Sequence, residues 1–302
     1  MPNWNAVGKE ISDIAQSGHP APFDYVREKY LEQLFRATDR NVISYYDAWL
    51  QKKGYQGGID DEDINAFMSV IHGLDRRKGL YLILHTPGGS IVAVESLIKY
   101  LMKMFDNDVV AIIPQISMSA GTMMACACKE IIMGKQSSLG PIDPQINGGF
   151  PCQGIVDEFN SACEAIEKRP ATTPIWVEMV SKYQPSLIGE CQKAIQLSEN
   201  LCKYLLKNNM FASAADKDEI SDSIVNWLSS HNEAKTHGRH FDIDTCKRNG
   251  LKIRDLESDN KFQDIILTLH HAYIHTLANT FVGKIVENHN KQRFIFMVNQ
   301  PM

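Results

Sequence analysis

Two short segments of this 302-residue chain carry residue types and spacings suited to acyl transfer. In the first, Pro87-Gly88-Gly89 follows an apolar run and precedes a helical pattern. Glycines there let backbone N–H groups turn outward into a concave site, where they can hold an oxyanion. In the second, Ser119 opens the small-residue stretch Ala120 to Cys128, which places its hydroxyl beside the free N–H groups and positive end of a helix. Ala120 and Gly121 leave its approach uncrowded. A serine nucleophile with one N–H donor from Gly89 and one from Ala120 is the constellation for attack on a carbonyl. Taken singly, Ser119 is an ordinary helix N-cap and the glycine pair an ordinary turn. What joins them is that both fall at the ends of adjacent strands. Ser117 stands where a GxSxG elbow needs its first glycine, so that motif is absent.

The elements that must position these residues read as a parallel α/β unit. Leu80 to Leu84, Val109 to Pro114 and Glu130 to Met133 are short apolar strands. Between the first two, Ser90 caps a helix whose Val94, Leu97, Ile98, Leu101 and Phe105 form one buried stripe. Ala120 to Cys128 is the helix between the second and third. Such alternation predicts a sheet covered by helices. Residues 1–36 read as short polar helices, Asn41 to Trp49 as a strand, and Asp60 to His72 as a helix with acidic residues at its start. After LGPIDPQ the pattern is helical near 152–168, 174–183, 187–210 and 215–229, with a short strand at 251–253. A long closing helix from Lys261 to Val286 carries Phe262, Ile266, Leu269, Tyr273, Leu277 and Phe281 on one side.

Composition narrows the function further. The formal charge of -5 and the interspersed charges offer no basic face for phosphates, which argues against nucleic-acid partners and polybasic membrane attachment. No apolar stretch approaches the ~20 residues of a membrane span, and the first residues lack the apolar core of a signal peptide. A cytoplasmic protein without stable membrane insertion is expected. The seven cysteines form no CxxC pair or zinc spacing and read as reduced thiols. Asp61, Asp63 and Asn65 begin like a calcium loop, but Ala66 and His72 stand where Gly and Glu are needed. His231, His237 and His240, and His271 with His275, lack a carboxylate or thiolate at matching spacing. They read as satisfied or exposed histidines, and no metal site is expected.

HTPGG, then SMSAGTM about thirty residues on, then SSLGPIDPQ, together resemble the serine dehydrogenase proteinase family, related to Clp protease subunits, signal peptide peptidase A and the crotonases. NVISYY, DDEDINAFM, KYQP and THGRHFDIDTCKRNGL extend the resemblance over most of the chain. It implies an α/β fold, a Clp/crotonase-like spiral of β-β-α type units with helical N- and C-terminal extensions. The single domain over 1–302 would comprise an extension at 1–40, a core at 41–260 and a helical arm at 261–302. It also implies a serine peptidase acting on peptide or protein substrates as a homo-oligomer, usually a ring, without cofactor. Ser119 matches the nucleophile, and Gly89 and Ala120 match the oxyanion donors.

The base is where the sequence departs from the Clp pattern. Asp143 stands where Clp subunits have a histidine. With an ordinary pKa of about 3.9, a carboxylate is a poor base for a serine, so Asp143 orients a partner or is structural. Signal peptide peptidases use a lysine, which works only when burial leaves it neutral. Lys182 falls in the matching region and is the favoured base, with Lys135 and His85 as alternatives. Lys129, ten residues along the nucleophile's helix, is out of reach at about 15 Å. Two rival functions remain. One is a crotonase-type acyl-CoA enzyme with Asp143 or Glu95 as base. The other is a ring-forming scaffold in which Ser119 is only an N-cap. The amphipathic first and last helices, the latter with its long stripe at 262–281, are the expected surfaces for self-association.

Overall fold

Runs of β-branched and apolar residues build a seven-stranded sheet in the computed structural model, which describes residues 4–146, 149–230 and 236–298. Its parallel part is β1 (Asn41–Asp47), β2 (Leu80–His85), β3 (Val109–Ile113), β5 (Ile131–Met133) and β9 (Ile253–Asp255), in that spatial order. Every residue of the first four is buried, as parallel strands covered on both faces require. Two-residue strands β4 (Ile116–Ser117) and β6 (Ser138–Leu139) pair beside it, and β7 (Gln145–Ile146) forms a small hairpin with β8 (Phe150–Pro151). The architecture is mixed α/β with a mostly parallel central sheet.

Helices cover both faces. Ile43, Tyr45, Leu82, Leu84, Ala111 and Ile113 point toward α3 (Asp63–Ile71), α4 (Ile91–Met104) and α5 (Ala120–Cys126). Val42, Tyr46, Tyr81, Ile83 and Ile112 point the other way, onto α2 (Pro22–Thr38) and the closing helix. This alternation follows from the two-residue period of a strand. Ser90 caps α4 as expected, its Oγ accepting the Ala93 N–H at 3.2 Å. The N-terminal α1 (Trp4–Gln16) lies outside α2, and Trp4 stacks on His275 at 3.7 Å between ring centroids. The second half contributes α6 (Cys152–Lys168), α7 (Thr173–Val180), α8 (Leu187–Leu205), α9 (Lys217–Ser229) and α10 (Ile243–Arg248).

The C-terminal end departs from the expected helical arm. Helix α11 (Asn260–Asn279) stops at Thr280, and the chain returns as β10 (Val282–Asn288) and β11 (Arg293–Met297). Strand β10 pairs antiparallel with β1 and carries β11 as the sheet edge. Val282, Ile285 and Val286 continue the apolar spacing of a helix, but as β-branched residues they pack well on a sheet. The stripe expected to serve self-association is also covered: Ile266, Leu269, Tyr273 and Leu277 are buried under the sheet, and of its six residues Phe281 alone is exposed. Among the described residues, no helix is long and apolar enough to cross a membrane.

Candidate active site

Strand β2 delivers the glycine turn to the start of α5. Thr86 donates its N–H to Ile116 O and accepts the Met118 N–H at 3.0 Å, so the segment after β2 runs alongside the one that leads to Ser119. Gly88 has φ 101° and lies flat against the serine: a Cβ there would stand 2.7 Å from Ser119 Cβ and 3.1 Å from Ala120 N. No side chain fits. On the far side of the turn, Ile59 donates to Gly88 O at 2.7 Å and accepts from Ser90 N at 2.8 Å. In a parallel bridge of this kind the N–H of the middle residue, Gly89, points away from Ile59. Neither that N–H nor that of Ala120 has a partner among the described residues. Gly121 lets the helix begin this close to the turn, because a Cβ there would lie 2.5 Å from Ser117 Oγ and Thr86 Cγ2.

Ser119 is not the ordinary N-cap that its position suggested. A capping serine has extended backbone and an Oγ that accepts a helix N–H. Ser119 has φ 50° and ψ -120°, and its side chain makes no capping bond. A positive φ costs a residue with a Cβ of order 1–3 kcal/mol and persists only where the surroundings impose it. Here the imposing contacts are backbone bonds, Gly121 N to Met118 O at 2.7 Å and Thr122 N to Ser119 O at 2.8 Å. The hydroxyl is half-buried at a sharp strand-to-helix bend.

A carboxylate–imidazole pair lies on the adjoining loop. Thr122, in the first turn of α5, donates its hydroxyl to Gly140 O at 2.9 Å and accepts the Gly140 N–H. Three residues on, Asp143 is 2% exposed, and its Oδ1 meets His237 Nδ1 at 2.8 Å. Its Oδ2 has no partner among the described residues. Asp143 is held rigidly: the neighbouring Ile142 N–H donates to Leu228 O, Ile142 O accepts from Ser198 Oγ, and Pro144 O accepts from Cys152 N. His237 arrives because Leu139 and Phe241 exchange backbone bonds at 2.8 and 3.0 Å, which lays the segment after α9 along the Asp143 loop. With Nδ1 engaged, Nε2 is left to exchange a proton elsewhere. His237 was weighed in the sequence only as a metal ligand. The signal that could have found it is Asp143 itself, a carboxylate in a base position that needs an imidazole to orient.

The other candidate bases lie in unsuitable settings. Lys182 follows α7 in the open, with a side chain 70% exposed and paired with Glu178 in the last turns of that helix. Burial is the condition for a neutral lysine base, and Lys182 does not meet it. Lys135 is exposed, its backbone N–H bonded to Glu257. His85 is wholly buried, on the face of β2 opposite α5, stacked near Tyr46 and Trp49. Burial holds its imidazole well below the ordinary range, so it stays neutral. Glu95, a base for the crotonase alternative, pairs with Lys99 along α4. His240 is exposed, and His231 lies outside the described residues. Asp63 opens α3 as the expected helix-start acid, and its carboxylate is turned inward onto Lys284 at 2.8 Å.

The family model of ClpP-like SDH-type serine proteinases matches residues 56–255. Two uncharacterized proteins of Methanocaldococcus jannaschii are similar in sequence. MJ0137 is 31% identical over 193 residues, 62% of this chain and 61% of its own length. MJ1495 is 30% identical over 195 residues, 65% of this chain and 59% of its own. The chain therefore matches about three fifths of the length of these curated relatives.

Proposed function

Since the chain belongs to the ClpP-like SDH-type serine proteinase family, we propose that it hydrolyses peptide bonds, with Ser119 as nucleophile, His237 as general base and Asp143 as the carboxylate that orients it. His237 Nε2 takes the Ser119 proton as Oγ attacks the carbonyl carbon. Asp143 fixes the tautomer through Nδ1–H and stabilises the imidazolium as it forms. The N–H groups of Gly89 and Ala120 receive the tetrahedral oxyanion. His237 then protonates the departing amine, and water releases the acyl-enzyme by the same route. No step calls on Lys182.

The observation that carries the proposal is Ser119: a strained backbone, an uncapped hydroxyl and, beside it, two N–H groups without a partner among the described residues. An N-cap in a scaffold has no use for that strain. Assembly from several copies belongs to the same proposal. Helix α7 turns Ile175, Val177 and Met179 to solvent, whereas the α11 stripe is already covered. The test is incubation with denatured protein and a peptide library, with new termini read by mass spectrometry. Peptide-bond cleavage that disappears in Ser119→Ala supports the proposal. No cleavage together with saturable acyl-CoA binding would transfer it to the crotonase alternative.

A further inference from the structure

The oxyanion turn rests on a strap, residues 57–60, that is itself held from beneath by a buried charged network. Above, the strap grips the turn through Ile59, which bonds Gly88 O and Ser90 N. Below, Asp47 at the end of β1 accepts the Gly58 N–H on Oδ2 at 2.8 Å and the Trp49 N–H on Oδ1 at 2.9 Å. Tyr45 donates its hydroxyl to Asp63 at 2.9 Å, and Asp63 accepts the Asp60 N–H at 3.0 Å and pairs with Lys284. Each side of the strap has been cleared for this fit. A Cβ at Gly57 would lie 2.0 Å from Asp47 Oδ1, and one at Gly58, where φ is 140°, would lie 3.0 Å from Gly88 O.

Asp47 is an expensive residue for a merely structural loop anchor. It is fully buried, and that burial pushes its carboxyl up to about 6 despite its two N–H bonds and the opposing Lys284. Asp63 and Tyr55 also face it. What a carboxylate offers that an amide cannot is two acceptor oxygens for two divergent N–H groups. The Gly58 bond ties the strap to the end of β1, the Trp49 bond holds the carboxylate that makes it, and the strap's height fixes the donor.

We propose that Asp47, supported by the Asp63–Lys284 pair, is a positioning residue that sets the Gly89 N–H for the oxyanion; this rests on the peptidase reading of Ser119. An oxyanion donor contributes only when its placement is accurate, and a shift of about 1 Å costs on the order of a hundredfold in rate. In Asp47→Asn the shape is kept but the side chain can accept only one of the two N–H groups, so the Gly58 bond to the strap and the Trp49 bond that steadies the side chain cannot both be made. The expected result is a kcat lower by about tenfold to a hundredfold with KM within about threefold. Affinity for a peptide aldehyde, which adds to Ser119 and places its oxygen at the donors, falls in parallel, whereas affinity for the corresponding alcohol is retained. Gly58→Ala, which presses on Gly88 O from the other side, shows the same split and serves where Asp47→Asn does not fold. Wild-type kcat in either folded variant, or a rise in KM with kcat kept, overturns the proposal. Absence of Ser119-dependent turnover in the wild type would overturn the peptidase reading and this proposal with it.

Discussion

Replacing Asp143 with asparagine separates a catalytic carboxylate from a structural one. In the transition state the positive charge forming on His237 stands beside Asp143, whose Oδ1 is 2.8 Å from Nδ1. Taking about 4 Å between charge centres and an effective dielectric of about 20, the pair contributes about 4 kcal/mol. At 1.36 kcal/mol per decade this amounts to about a thousandfold in the rate of serine acylation. Stability should respond very differently. The replacement has the same shape and removes a buried charge, one of whose oxygens has no partner among the described residues. The folding free energy should therefore move by no more than about 1 kcal/mol in either direction. The assay is the second-order rate of fluorophosphonate labelling by intact mass, with urea unfolding of the same samples. Labelling within fivefold of wild type refutes the reasoning. So does a loss of stability above about 3 kcal/mol, which would make Asp143 a structural anchor.

Ser119→Gly should stabilise the fold by about 1 kcal/mol, because φ 50° suits glycine and no capping bond is lost; Ser119→Ala keeps the strain and should not, and urea midpoints that rank the two the other way would restore the N-cap reading. Lys182→Ala should leave peptide hydrolysis unchanged and stability within about 0.5 kcal/mol, since an exposed pair with Glu178 is the only ion pair of this side chain among the described residues; a tenfold loss of kcat would contradict this. Burial, with His271 nearby, lowers His270 to about 3. The unfolded chain, titrating near 6.5, then binds more protons than the folded one between these values, so this group's contribution to stability falls as pH drops below about 6.5. By pH 5 the loss is about 2 kcal/mol, and it should vanish in His270→Phe, as seen in urea midpoints at pH 7 and 5. Equal pH slopes in wild type and variant would refute it. Asp47, raised to about 6, acts in the opposite sense but is common to both proteins and cancels.

How far the sequence was legible depended on whether the deciding interaction was local. Strand β2, the glycine turn and the Ser90-capped α4 follow from neighbours a few positions apart, whereas the pairing of Gly89 with Ser119, thirty positions away, was read from the strand–helix–strand alternation between them. The strain at Ser119 was not legible, because the backbone bonds that impose it look in sequence like those of any helix start, and Gly88 packs against it from another strand. Strand β10 was hidden by a helical periodicity that runs on from Phe262 through Phe281 although the helix itself stops at Thr280. The Asp143–His237 pair depends on a bridge between Leu139 and Phe241, a hundred positions apart, which no local pattern encodes. Lys182 was favoured through resemblance to a neighbouring family, and its exposure removes the condition under which a lysine could serve.

The most direct test of the central claim is the site and rate of fluorophosphonate labelling in the wild type, Ser119→Ala and His237→Ala, with peptide mapping of the adduct. The account predicts one adduct, on Ser119 in the wild type, absent from Ser119→Ala and formed at least a hundredfold more slowly in His237→Ala. Labelling of His237→Ala at the wild-type rate, or an adduct on another residue, would contradict it.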